Sequence, residues 1–162
     1  MDTDIDKALE HLLESKHPAS ILAVSPNQPA SLARYAAQQQ EVLFTHVVFE
    51  DLDRSLCGIG RYEFALVCDT LEHLEKSHAE QLLGRVKDVH AELLWISVPD
   101  HDDVTRFGRH EAIAQGMRRV NLQAVGGEFR LYEFSLNFYK PAPQWLNADN
   151  WANPQLWNKR RW

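Results

Sequence analysis

A chain of 162 residues, 44% hydrophobic and 25% charged, has the length and balance of one folded domain with a core of ordinary size. A net charge of -6 argues against sequence-independent nucleic-acid binding, which needs a basic surface to displace counterions, although KRR at 159–161 is a local basic patch. No apolar run approaches the roughly 20 residues of a membrane helix, the acidic start MDTDIDK is no secretory signal, and two cysteines form no disulfide framework, so a reduced, cytoplasmic setting is expected.

Ile5, Leu9, Leu12 and Leu13 fall on one stripe of a first helix, which Pro18 ends. The continuous run ILAVS (21–25) predicts a strand buried on both faces. PNQPASLARYAAQQQ predicts a turn and a helix, with Pro29 in its first turn. THVVFEDL (45–52) predicts a second strand ending in two acids, and FALVCD (64–69), after a polar loop with Gly58 and Gly60, a third. Ser77 and Glu80 have the spacing of a capping box for a helix whose apolar face is Leu82, Leu83, Val86 and Val89. LLWISV (93–98) predicts a fourth strand, closed by Pro99.

Beyond Gly116 the pattern becomes strict alternation. Val120, Leu122 and Ala124, then Tyr132, Phe134, Leu136 and Phe138, flank Gly126-Gly127 and predict a hairpin between residues 117 and 139. Short apolar strands alternating with amphipathic helices imply an α/β sheet, mostly parallel, with right-handed crossovers and an antiparallel far edge. The domain is expected over residues 1–140, followed by a tail over 141–162. Trp145, Trp151, Trp157 and Trp162 recur there every five or six residues, and four indoles are costly to leave in water. The tail is therefore expected to pack on the domain. The other reading is an aromatic and basic surface for a partner, with Arg160 or Arg161 contributing.

Chemistry-bearing residues gather where the third strand ends. Asp69, Glu72 and His73 could hold a cofactor, act as acid and base, or ligate a metal, or could simply cap the next helix. PDHDD (99–103) reads as a solvated acidic loop capping a following helix, or as oxygen ligands for a metal; no metal site is assigned. Cys68 stands before a helix N-terminus, which lowers a thiol pKa, but with no Cys-His signature it reads as inert and buried. Histidines 11, 17, 46, 90 and 110 lie in no motif and read as surface or packing residues.

RYEFALVCDTLEHL (61–74), followed by LLWISVP and by GMRRVNLQ with LYEFSLNFYK, resembles class I S-adenosylmethionine (SAM)-dependent methyltransferases, over roughly residues 20–140. The whole chain, Trp-rich tail included, also resembles a small bacterial family of unknown function. The first resemblance implies a doubly wound, Rossmann-like sheet that binds SAM at the carboxyl ends of its strands. Carried over by position, Ser25 opens the cofactor loop, Glu50 or Asp51 accepts hydrogen bonds from the ribose, and Cys68, Asp69 and Thr70 line the adenine and methionine side. Glu72 and His73 stand at the substrate entrance as candidate catalytic proton acceptors.

The chain departs from that family at the loop after strand one. Where the family has glycines, this chain has SPNQP (25–29), with two prolines that lack N–H donors and no glycine before Gly58. A third strand with its helix is also expected to be missing. Two readings follow: a SAM-dependent methyltransferase-like protein with a degenerate cofactor loop, or an inactive pseudoenzyme that binds or scaffolds through its cleft or tail. A metal-dependent hydrolase rests only on the acidic loops. The expected partner is a small molecule or a protein of unknown identity, with neither membrane nor nucleic acid expected.

Overall fold

The apolar stripe at the start of the chain is the buried face of helix α1 (Thr3–Lys16), where Ile5, Leu9, Leu12 and Leu13 are all buried. His17, at φ 47°, takes the left-handed conformation that closes a helix and donates its N–H to Leu13 O at 3.0 Å, just before Pro18. The computed structural model describes residues 3–39, 41–48, 52–99, 103, 105–120 and 129–136. Glu50, Asp51, the expected turn at Gly126-Gly127 and the tail (141–162) lie outside these.

Strand β1 (Ser20–Val24) is followed by α2 (Ala30–Gln38), β2 (Leu43–Val47), a short helix α3 (Leu52–Ser55) and β3 (Tyr62–Val67). A 3₁₀ turn at Leu71–His73 precedes α4 (Lys76–Arg85), which runs through a π turn (Val86–His90) straight into β4 (Ala91–Pro99). Helix α5 (Arg109–Ala114) and strands β5 (Arg118–Arg119) and β6 (Phe129–Ser135) complete the described chain.

The six strands form one sheet in the order β2-β1-β3-β4-β6-β5. The first four are parallel, and β6 runs antiparallel to both β4 and β5. β1 lies directly beside β3, from Ile21 opposite Phe64 to Val24 opposite Val67. The expected sheet and its antiparallel far edge are both present. From β1 the chain steps outward to β2, then returns to β3 and proceeds the other way. That reversal is the switch point of the sheet, and in open α/β sheets the ligand crevice lies at such a point, here the carboxyl ends of β1 and β3.

The apolar runs are continuous because both faces of the sheet are covered. Ile21, Ala23, Phe64, Leu66 and Trp95 pack with α1 residues and with Leu32 of α2. Leu22, Val24, Ala65, Val67, Leu94 and Ile96 face the other way, onto Leu83, Val86, Phe107 and Ala112. Each large side chain buried in these layers stabilises by about 1.5–3 kcal/mol.

Local punctuation differs from the sequence reading in three places. Helix α4 begins at Lys76 with Glu75 as N-cap and no side-chain cap bond, so Ser77 and Glu80 form no capping box. Pro29 is the N-cap of α2 rather than a first-turn residue. β2 starts at Leu43, two positions before the expected run. Among the described residues only α3 stands between β2 and β3, and β2 is an edge strand of the sheet.

Candidate functional site

The first wall of the crevice is the turn that leaves β1. Ser25 is fully buried, and its N–H donates to Val47 O at 3.1 Å. Its hydroxyl donates to Asn27 O at 2.8 Å, and His46 Nε2 lies 3.0 Å from Ser25 O and 3.2 Å from Ser25 Oγ. With Nε2 protonated, the imidazole donates to Ser25 O and every polar group of Ser25 is engaged within the protein. The loop is thus tied down on itself and to β2. Pro26 and Pro29 contribute no N–H to anything beyond it.

The second wall is the exit from β3. Cys68 is buried, and its N–H donates to Val24 O at 3.1 Å. Burial, with the Asp69 charge adding to it, pushes the thiol up to about 12. The lowering expected from a helix N-terminus is absent because no α-helix starts there. Asp69 follows in the left-handed region, φ 48°, where Asp is one of the few non-glycine residues tolerated. Its N–H donates to Ser97 Oγ of β4 at 3.3 Å. Thr70, also fully buried, turns its hydroxyl inward, 2.9 Å from Cys68 O and 3.3 Å from Val24 O. Thr70 therefore ties β3 to β1 from beneath and does not line the crevice.

The 3₁₀ turn carries the remaining candidates. Leu71 is fully buried and Leu74 packs against the same cluster, so the turn is pinned at both ends. Glu72, between them, is half-buried, and its Oε2 is shielded from solvent with no hydrogen-bond partner. Burial raises its pKa above the ordinary carboxylate value and the Asp69 charge adds to the rise, while a backbone hydrogen bond and His73 oppose it. His73 is exposed on the same turn. Arg106 Nη1 donates to Glu72 O at 3.3 Å, joining the turn to the segment that follows β4.

Ser25, Cys68, Asp69, Thr70 and Glu72 all stand at the carboxyl ends of β1 and β3, and Glu50 and Asp51 lie outside the described residues. Neither Asp69 nor Glu72 caps α4, which starts only at Lys76. Asp103 accepts from Thr105 N at 2.9 Å and Thr105 Oγ1 at 2.6 Å, closing a local turn. It does not cap α5, whose start is held by Gly108 N–H donating to Glu111 Oε2 at 2.9 Å. Among the described residues no group of three or more His, Cys, Asp and Glu is placed to hold a metal ion. No helix among them is long and apolar enough to cross a membrane.

Three residues at the crevice escaped sequence reasoning: His46, Ser97 and Arg106. His46 had one available signal, a lone imidazole in an apolar strand, one position before the strand's carboxyl end. Ser97 and Arg106 carried none.

The crevice, the strand order and the antiparallel β6 together define a methyltransferase-like fold, and comparison with known proteins agrees. The chain belongs to the family of unknown function DUF6231, whose model matches residues 3–162. A search of curated proteins found no match. Among solved structures the chain is similar to the methyltransferase domain of bacterial CtHen1 (12% identity, TM-score 0.52, 82% of this chain and 98% of that one). It is also similar to PigF solved with SAH (9%, TM-score 0.59, 82% and 55%). A third is magnesium protoporphyrin IX methyltransferase ChlM from Synechocystis PCC 6803 with bound SAM (10%, TM-score 0.50, 80% and 76%). At these identities the likeness shows the fold.

Proposed function

We propose that this member of DUF6231 is a SAM-dependent methyltransferase-like protein, with Glu72 as proton acceptor and a degenerate cofactor loop that keeps SAM affinity low. The observation that supports it is the Glu72 carboxyl, whose Oε2 is shielded without a hydrogen-bond partner and whose pKa is held above its ordinary value by burial, on the turn that follows β3. A carboxylate in that condition takes a proton from an acceptor hydroxyl or amine more readily than a solvated one.

The residues present fit SAM on one side only. On the β3 side, Asp69 stands in an unusual backbone conformation, braced by Ser97, and Cys68 and Thr70 support it from below. Glu50 or Asp51 would meet the ribose. On the β1 side the donors that a glycine loop would offer are missing, and Ser25 is already saturated. SAM would supply the transferable methyl group. The chain's own contribution is to orient the acceptor beside the turn at 71–73 and to receive its proton at Glu72.

A second reading, an inactive pseudoenzyme, draws on that tied-down loop. Calorimetric titration with SAM separates the two. The proposed function expects binding at roughly 10⁻⁵–10⁻³ M, about -7 to -4 kcal/mol. No heat at millimolar SAM would leave the pseudoenzyme reading in its place.

A further inference from the structure

At the opposite end of the strands lies a cavity of about 570 Å³ that the crevice chemistry does not use. It opens between the C-terminal half of α1 (His11, Leu12, Ser15, Lys16) and the amino ends of β3 and β4, with Val120 and the end of β6 closing it. Its floor is aromatic: Phe64 and Trp95 meet edge to face, with ring centroids 6.1 Å apart and planes at 82°. Trp95 is 6% exposed, and its indole N–H has no hydrogen-bond partner. Glu63, Glu92 and Glu133 line it together with Lys16; Glu63 accepts the Ala19 N–H at 2.8 Å and Glu133 meets Arg118 at 3.0 Å, while Glu92 is exposed. An aromatic floor with carboxylates in its lining suits an occupant that is aromatic and carries positive charge.

The chain itself supplies such an occupant. Ser135, the last residue of β6, lines the cavity, and the next residue, Leu136, is 52% exposed where the chain leaves the sheet. The 26 residues that follow, 137–162, hold four of the five tryptophans. They also carry Lys140, Lys159, Arg160 and Arg161 against Asp149 alone, in a chain whose total charge is -6. A segment tethered at the cavity wall meets it at millimolar effective concentration, so modest contacts suffice to seat it. We propose that this cavity is the docking site of the chain's own C-terminal segment, residues 137–162, seated by its indoles with its basic end against the lining glutamates.

Hydrogen exchange and limited trypsin digestion of the full-length protein test this. Three variants are compared with the parent chain: Ser15→Trp, which fills the cavity from α1; Glu92→Lys, which reverses an exposed lining charge; and Glu92→Lys combined with Arg160→Glu and Arg161→Glu. The expected result is about tenfold faster exchange over 137–162, and faster cleavage at 159–161, in each of the first two. Strands β1, β3 and β4 keep their protection, and the combined variant, read by hydrogen exchange alone because two of its trypsin sites are gone, regains the parent exchange over 137–162. Glu92→Lys carries the test alone if Ser15→Trp does not fold. Exchange over 137–162 that is unchanged in both would overturn the proposal. So would protection that disappears on dilution, which would assign the cavity to a second copy, or protection in the parent that appears only when an exogenous ligand is added.

Discussion

Asp69 and Ser97 join the carboxyl ends of β3 and β4: the Asp69 N–H donates to Ser97 Oγ at 3.3 Å while Asp69 holds φ 48°. The bond fixes the one described backbone segment of the crevice that an ordinary side chain avoids. Ser97 is fully buried, so Ser97→Ala leaves the Asp69 N–H without its partner. The expected loss is about 1–2 kcal/mol in urea unfolding. Asp69→Ala is expected to cost about 1 kcal/mol more than Asp69→Gly, because only glycine adopts this conformation freely.

Glu72→Gln tests the shielded carboxyl without any substrate. The folded state holds the Glu72 proton more tightly than the unfolded chain does, since its pKa is raised above 4.5. Stability is therefore full below 4.5 and falls as pH rises through the folded value. Glutamine removes that fall. The variant is expected to melt higher than the parent at pH 7 and alike at pH 4, by differential scanning fluorimetry. Equal melting at both pH values would show the carboxyl to be solvated.

Thr70→Val keeps the shape of a buried residue and removes the hydroxyl that reaches Cys68 O and Val24 O. A loss of about 1–2 kcal/mol is expected, read by urea titration. SAM titration of the variant is expected to match the parent, since the hydroxyl faces the sheet.

The layout of the sheet was legible because β1, β3 and β4 are buried on both faces, and double burial writes a strand as an unbroken apolar run. The region after β3 was less legible. Asp69-Thr70-Leu71-Glu72-His73 reads as the start of a helix, yet Leu71 and Leu74 must both reach the core, and their spacing of three suits one 3₁₀ turn. The helix is postponed to Lys76, and Glu72 is left half-buried. His46 was dismissed because its partner, the Ser25 turn, is distant in sequence. Only the parallel pairing of β1 with β2 makes them neighbours.

Placing glycine in the β1 turn tests the proposed loop effect directly. Pro26→Gly with Gln28→Gly adds one backbone donor and frees the chain around Asn27. SAM affinity is expected to rise about tenfold, or 1.4 kcal/mol, in calorimetry. An unchanged isotherm would show that the prolines do not set the SAM affinity. His46→Ala on the same background then becomes the decisive variant.

Glu111 links the starts of α4 and α5: its Oε1 meets Lys76 Nζ at 2.6 Å and its Oε2 accepts the Gly108 N–H. Burial raises its pKa, but the bonds from Lys76 and the backbone N–H groups outweigh that and hold it below 4.5. Its contribution is therefore present above 4.5 and is lost as pH falls through the folded value. Glu111→Gln keeps an oxygen for the Gly108 N–H but loses the charge facing Lys76, so it is expected to lower the melting temperature at pH 7 by the equivalent of at most about 1 kcal/mol. The gap closes in acid.

Placing β2 at the edge has a cost during synthesis and refolding. The pairs that β1 makes, with β2 and with β3, are parallel, so neither can close as a local hairpin, and each waits for a crossover to form. Until then β2 offers an unpaired ladder, and its exposed Leu43, with Val48 just beyond, stays apolar even in the finished fold. The vulnerable moment of this protein is its assembly, when one emerging chain can template another. Leu43→Lys is the change that would quieten it, trading an apolar edge for a charged gatekeeper and raising the soluble yield on refolding from urea.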